Sequence, residues 1–265
     1  MKTFVDPARC MQQRTHQQLL EMPLFGTFIL SGSAVIAEAA SYSGIDFLVI
    51  DEEGGPLGSA SSLQVLQAVN ARIPVFIRIS APRYENIEHA LDLGAAGVIV
   101  PKINSACEVA ELVQSFYYPP LGNRGLNPVR CSHYFSNLSD YLASANSRVS
   151  ALFQIETKTA LEEIEQLLAI PGLSGVFVGP GDLASALGTL GDVDSAPMRQ
   201  ARRTVAEAAS RHQKMAGIFA YSEELACKHL EEGYQFIAIG NDLKLMLNGI
   251  RSSLQAAKAS ARKAL

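Results

Sequence analysis

The sequence has no tryptophan, no CxxC pair, no block of like charge and no apolar run near the ~20 residues that a bilayer span requires. Each absence closes a class of function. Four cysteines, Cys10, Cys107, Cys131 and Cys227, lie too far apart for a zinc cluster or a disulfide scaffold, and fit a reducing cytoplasm. A formal net charge of -4 with 18% charged residues gives no reason to expect nucleic acid or another polyanion. The opening stretch MKTFVDPARCMQQRTHQQ is polar and lacks the apolar centre of a signal peptide. The expectation is a soluble, cytoplasmic protein that binds neither membranes nor nucleic acid.

What is abundant is hydrophobic character, 48% of 265 residues, and it is arranged periodically. Short runs rich in Val, Ile and Phe alternate with amphipathic stretches of helical length, which is the pattern of repeated βα units. Eight candidate strands follow: Leu24 to Leu30, Phe47 to Asp51, Val75 to Ile79, Gly97 to Pro101, Ala151 to Glu156, Gly175 to Gly179, Met215 to Ala220 and Phe236 to Gly240. Eight such units in one chain of this length predict a single α/β domain over 1–265, a (β/α)8 TIM barrel, with 1–20 as an N-terminal helical extension.

Helices are expected over Ala106 to Phe116 and Thr157 to Leu168, with Ser105 and Thr157 as capping residues. The longest irregular connection, Tyr117 to Asn146, contains YPPLGNRGLNPVRCSHYF, and a loop of this length in a compact domain is functional or disordered. From Leu243 to Leu265 the chain reads as a helix rich in Ala, Lys and Arg, either solvated or packed on a neighbour.

Active sites of such barrels lie at the carboxyl ends of the strands. Here those ends are polar. Strand two ends in Asp51, Glu52 and Glu53, strand three carries Arg78, and strand four runs into Pro101 and Lys102. Strand five ends in Gln154, Ile155 and Glu156, and strand six runs into Gly179, Pro180, Gly181 and Asp182. Glu156 and Asp182, on neighbouring strand ends, form a two-carboxylate oxygen site that suits a hard divalent cation completed by water and substrate oxygens. Such a cation chelates a 2-keto acid and stabilises its enolate. Arg78 offers a planar fork to a carboxylate or to the enolate oxygen. Taken singly, each of these side chains reads equally well as a helix cap or an ion-pair partner.

The strings FGTFILSGSAVIAEAASYSGIDFLVID, FIRIS, ALDLGAAGVIVPKINSACE, YYPPLGNRG, FQIETKTALEEI and GLSGVFVGPGDLASALG, in this order, resemble the HpcH/HpaI aldolase family of the pyruvate/phosphoenolpyruvate barrel superfamily, over roughly Leu24 to Asp242. QIET and VGPGDL carry the most specific part of the resemblance. It implies a lyase that makes or breaks carbon–carbon bonds through a pyruvate- or oxaloacetate-type enolate, with a small keto acid as substrate and a divalent cation, Mg, Mn or Co. It also implies a homo-oligomer, trimer or hexamer, with C-terminal helices exchanged between subunits. By position, Glu156 and Asp182 match the family's metal ligands and Arg78 its substrate-binding arginine. Gln154 matches a polar residue of that site, and Asp51 the acid that pairs with a catalytic histidine. The backbone from Gly181 on would meet the substrate carboxylate at a helix start.

The family usually shows E-H-A/G-P at the end of strand two, with the histidine as acid–base group, whereas this chain reads Glu53-Gly54-Gly55-Pro56. The histidine position is Gly54. His16, His89, His212 and His229 fall on outer helices, which leaves His133, in the long loop, as the histidine with a path to the mouth or else as a loop hydrogen-bonder. One account hands the proton to Glu52 or Glu53 with a raised pKa, to Lys102 lowered by burial, or to His133. Another changes the reaction to a condensation, as in a citrate-synthase-like, metal-independent branch of the family associated with siderophores, with Gly54 and Gly55 enlarging the pocket. A third leaves a non-catalytic barrel that binds a keto acid. Lys102 also reads as a surface lysine, and Arg124 and Arg130 as substrate binders or as braces near the site.

Overall fold

The computed structural model describes residues 22–56 and 58–264. The helical extension expected over 1–20, with Cys10 and His16, lies outside the described residues. Among those described, eight parallel strands close into one barrel in sequence order. They are β1 (Leu24–Ile29), β2 (Phe47–Asp51), β3 (Val75–Arg78), β4 (Gly97–Val100), β5 (Ser150–Ile155), β6 (Gly175–Val178), β7 (Met215–Ala220) and β8 (Phe236–Asn241). The principal helices after them are α1 (Ala34–Ala40), α2 (Ser59–Val69), α3 (Tyr84–Asp92), α4 (Ala106–Leu112), α5 (Leu138–Ala145), α6 (Lys158–Glu162), α7 (Ile164–Leu168), α8 (Pro180–Ala186), α9 (Ala196–Arg211), α10 (Glu223–Glu231) and α11 (Asp242–Ala264). Among the described residues, none of these helices is long and apolar enough to cross a membrane.

Alternation along the strands divides the core in two. Ile29, Leu48, Ile50, Ile77, Val98, Val100, Phe153, Val176, Ile218 and Ile237 face the helices. Their neighbours Phe28, Phe47, Val49, Phe76, Ile99, Leu152, Phe177 and Phe236 fill the barrel interior. Side chains on successive strand residues point to opposite faces, so a strand wrapped by helices outside and closed on itself inside is apolar at every position. This is why the eight runs stood out. Inside, Phe47 stacks on Phe236 with centroids 3.8 Å apart and Phe76 meets Phe236 edge-on at 5.0 Å. Burial of each ring contributes about 2–3 kcal/mol, so this plug closes the barrel and leaves the carboxyl mouth free to carry charge.

The capping expectations hold. Ser105 accepts from the Glu108 N–H and Thr157 from the Ala160 N–H. The stretch after Thr157 breaks into α6 and α7 at Glu163, and the helix begun at Ala106 tightens to a 3-10 turn over Val113–Phe116.

The connection 117–146 is neither wholly irregular nor near the mouth. It contains α5, and it joins a helix to the start of β5, so it lies at the amino-terminal face. There the Tyr118 N–H donates to Asn146, the Gly125 N–H to Glu88, and the Cys131 N–H to the Asp92 carbonyl. A cavity of about 590 Å3 beneath it is lined by Ile73, Leu91, Arg130, His133, Tyr141 and Arg148 among others, and by none of the residues at the mouth.

The last helix, α11, packs its start against β1 and β8. Leu243, Met246, Leu247, Ile250 and Leu254, a stripe at helical spacing, are exposed.

Candidate active site

The inward-facing positions continue past the Phe and Ile layer to the mouth. Two residues beyond Val49 stands Asp51, beyond Phe76 Arg78, and beyond Leu152 first Gln154 and then Glu156. Beyond Phe177 comes Gly179, and beyond Phe219 Tyr221. The period-2 rule therefore converts the barrel's apolar floor into a polar rim without a change of backbone. Parallel pairing sets Asp51 directly beside Arg78.

That pair is the centre of the rim. Arg78 Nε donates to Asp51 Oδ1 at 2.9 Å and Nη2 to Oδ2 at 2.7 Å, a bidentate fork. Its third nitrogen, Nη1, lies 3.1 Å from Glu53 Oε2 and 3.4 Å from Gln154 Oε1. The guanidinium rests 5.1 Å above the Phe28 ring. Burial opposes its charge, but the hydrogen bond and charge of Asp51, helped by Glu53 and Glu156, raise its pKa above the ordinary value.

Asp51 is 1% exposed, and besides the arginine its Oδ1 accepts the N–H groups of Glu53 and Gly54. The partners of this acid are thus an arginine and a turn of backbone. A Cβ placed on Gly54 would stand 2.9 Å from Asp51 Oδ2 and 3.5 Å from Arg78 Nη2. The turn has closed onto the acid, so a side chain at 54 in this backbone would require Asp51 to shift.

Glu53 reaches across the mouth. Its Oε1 lies 3.0 Å from Lys102 Nζ while its Oε2 lies on Arg78. Glu52 turns away to accept from Ser62 Oγ at 2.5 Å. The expectation that burial lowers Lys102 is overturned: the side chain is 60% exposed, and its hydrogen bond to Glu53 raises its pKa. Its backbone is what the rim uses. Lys102 has a left-handed φ of 57°, unusual for a residue with a Cβ, and this turns its N–H onto Glu156 Oε1 at 2.5 Å.

Glu156 is 4% exposed, and its other oxygen accepts from the Gln154 amide. Burial, followed by the charges of Glu53 and Asp182, raises its pKa. Gly179 permits this arrangement, since a Cβ there would meet Gln154 Nε2 at 2.8 Å and Glu156 Oε2 at 3.1 Å. Asp182, in the first turn of α8, is exposed and has no hydrogen-bond or ion-pair partner among the described residues. The N–H groups of Gly181 and Asp182 likewise have no acceptor there. Among the described residues no cluster of three or more His, Cys, Asp or Glu side chains could hold a metal. The available donor set is two carboxylates, one whose charge is opposed first by burial and one without a hydrogen-bond or ion-pair partner among the described residues, which fits a hard cation whose other positions are filled by water and substrate.

Three sequence expectations fall elsewhere. His133 is exposed at the amino-terminal face, across the barrel from the mouth, because an αβ connection delivers the chain there. Arg124 braces its loop through Asp92 at 2.6 Å, and Arg130 donates to the Leu93 carbonyl at the same face. Neither is near the site. One functional candidate went unread: Tyr221, one residue past the expected end of β7, stands inside the rim. The end of β8 is also filled, since Asp242 accepts from Leu30 N–H at 2.9 Å and from Ser31 N–H at 3.1 Å.

A family model described as HpcH/HpaI aldolase/citrate lyase matches residues 24–249. A hydroxypyruvate/pyruvate aldolase of Paraburkholderia phytofirmans is 35% identical, covering 96% of this chain and 98% of its own. A 2-dehydro-3,6-dideoxy-6-sulfogluconate aldolase of Pseudomonas putida is 35% identical, covering 88% and 92%. Among solved structures, an HpcH/HpaI aldolase/citrate lyase family protein of Burkholderia cenocepacia superposes with a TM-score of 0.86 at 32% identity, covering 92% of this chain and 98% of the other.

Proposed function

The chain belongs to the HpcH/HpaI aldolase/citrate lyase family, a carbon–carbon lyase of aldolase type, and from that premise we propose that its reaction runs through the enolate of a pyruvate- or oxaloacetate-type acid held at the carboxyl-terminal mouth. The observation that carries the reading is Arg78, a partly exposed arginine fixed as a fork by Asp51 at the mouth, with the charge of Glu156 close enough to act on it.

Glu156 and Asp182 would hold a divalent cation, Mg, Mn or Co, which when bound supplies the Lewis acidity that favours enolate charge. The remaining work falls to the chain. Arg78 donates to the oxygen on which enolate charge grows, and it is already oriented before substrate arrives. Asp51 is the positioning residue, since it fixes both the fork and the 53–55 turn. Gln154 donates from the same wall, and the free N–H groups at Gly181 and Asp182 receive the substrate carboxylate.

Glu53 takes the acid–base role left open at Gly54. Its Oε2 lies 3.1 Å from Nη1 of the arginine that donates to the enolate oxygen, which puts a carboxylate base beside the reacting acid. Lys102 holds Glu53 in place and does not itself transfer the proton. The exposed stripe on α11 supports helix exchange in a homo-oligomer, since 23 residues of amphipathic helix left in water would waste its apolar face.

The test is oxaloacetate decarboxylation, which forms the same enolate without an aldehyde. Glu156→Gln should lose both turnover and Mn affinity by equilibrium titration. Full retention of both in that variant contradicts the reading.

A further inference from the structure

Tyr221 is the polar side chain of the mouth that the scheme above leaves without a task. The alternation that places Phe219 inside the barrel brings Tyr221, two residues on, to the rim. Its ring stands edge-on to Phe219 at 4.9 Å, Phe219 meets Phe28 at 5.4 Å, and Phe28 lies under the Arg78 guanidinium. Lys244 Nζ is 5.4 Å from the ring centroid on the outer side. These contacts fix the ring and aim its hydroxyl at α8. A Cβ on Gly181 would be 2.9 Å from that oxygen, so glycine at 181 is what lets the hydroxyl lie beside Asp182.

Two features separate Tyr221 from its neighbours. Asp51, Glu53, Arg78, Lys102, Gln154 and Glu156 form one connected network in which each group already has protein partners. The Tyr221 hydroxyl has no hydrogen-bond partner among the described residues, although burial and the nearby Asp182 charge keep the phenol protonated. The wall on its side of the barrel, formed by Phe28, Leu30 and Phe219, is otherwise apolar. A reactant lying against that wall meets the Tyr221 hydroxyl as a donor at its edge.

Resting on the enolate reading above, we infer that Tyr221 is a catalytic residue for the second reactant, donating a hydrogen bond to the carbonyl oxygen of an aldehyde electrophile. In the forward direction the enolate carbon gives its electron pair to the aldehyde carbon and the new carbon–carbon bond forms. The carbonyl π pair moves onto oxygen, where the Tyr221 O–H stabilises it until a proton from solvent completes the hydroxyl. In reverse the hydroxyl loses that proton, the bond breaks and the pair returns to the enolate. The tyrosine is neutral at both ends.

The experiment separates the two halves of the reaction in one protein. Proton–deuterium exchange at C3 of pyruvate reports enolate formation alone, whereas addition of pyruvate to glyceraldehyde, and separately to glyoxylate, requires the electrophile. Tyr221→Phe should exchange at the wild-type rate yet add either aldehyde about 10- to 100-fold more slowly, the loss expected for one donor to a developing charge. Equal rates of addition in Tyr221→Phe and wild type overturn the assignment, as does a variant that folds normally but loses exchange and addition together. No exchange in the wild type overturns the enolate reading itself, and this assignment with it.

Discussion

Two arginines, each facing a carboxylate and an aromatic ring, sit at opposite ends of the barrel. Arg78 lies at the mouth, 18% exposed, and its three nitrogens all face acids or an amide oxygen. Arg124 lies under the 117–146 loop with its side chain sealed from solvent, 4.6 Å from the Tyr118 ring, and gives one nitrogen to Asp92. Its Nε and Nη1 have no hydrogen-bond partner among the described residues. The same residue type therefore does two jobs. Where the full fork is used and water can enter, the arginine is prepared for a ligand; where one nitrogen is used and water is excluded, it locks a loop.

The contrast is sharpest under substitution by lysine, which keeps charge and discards the fork. Arg78→Lys should lower turnover in oxaloacetate decarboxylation by about 10²–10³-fold, the cost of losing an oriented donor. Its fold should persist, since the N–H groups of Glu53 and Gly54 still hold Asp51 Oδ1 and the lysine keeps a positive charge for Oδ2. Arg124→Met should leave Asp92 half-buried without a partner and reduce unfolding free energy by on the order of 3 kcal/mol, read from urea denaturation, with turnover per folded molecule unchanged. Arg124→Lys, which can still offer one nitrogen, should cost only about 1 kcal/mol. A large loss of turnover at 124, or none at 78, breaks the comparison.

Glu53→Gln sharpens it from the acid's side. The amide keeps a contact to Arg78 but cannot exchange a proton, so turnover should fall by about 10²-fold with little change in KM.

The smallest effect is in pH. Burial raises both Glu156 at the mouth and Asp92 under the loop. A carboxyl whose pKa is higher folded than unfolded holds its proton better when folded, so its contribution to stability is greatest below the ordinary carboxylate range. That contribution is lost as pH climbs through the raised value. Saturating Mg should remove the mouth's share of this loss and leave the share of Asp92, which urea midpoints at successive pH values with and without Mg will read.

The strands were legible because a sealed barrel demands apolar residues on both strand faces, and β2 and β7 end where the sequence placed them. Asp51, Arg78, Gln154 and Glu156 were legible for a related reason: a polar side chain that ends an apolar run has few places to go but the mouth. Tyr221 was missed because its run was cut at Ala220, although the Gly217, Phe219, Tyr221 alternation carried the signal. The error over His133 was topological, since a loop between a helix and the next strand lands on the amino-terminal face whatever its composition. Helix α5 was hidden in a polar stretch and is held by Tyr141 and Ala145, which are buried only once the loop has docked. Nothing in the letters Glu53-Gly54-Gly55 gives the steric fact that the turn closes onto Asp51, because that depends on the register with β3.

The central claim is that the mouth forms an enolate around Arg78 without a histidine. It is tested most directly by deuterium exchange at C3 of pyruvate, followed by NMR, for wild type, Arg78→Lys and Arg124→Lys in EDTA and then with Mg, Mn or Co. The account predicts cation-dependent exchange in wild type and Arg124→Lys and its near loss in Arg78→Lys. Exchange that persists in Arg78→Lys, or that is absent from wild type under every condition, contradicts it.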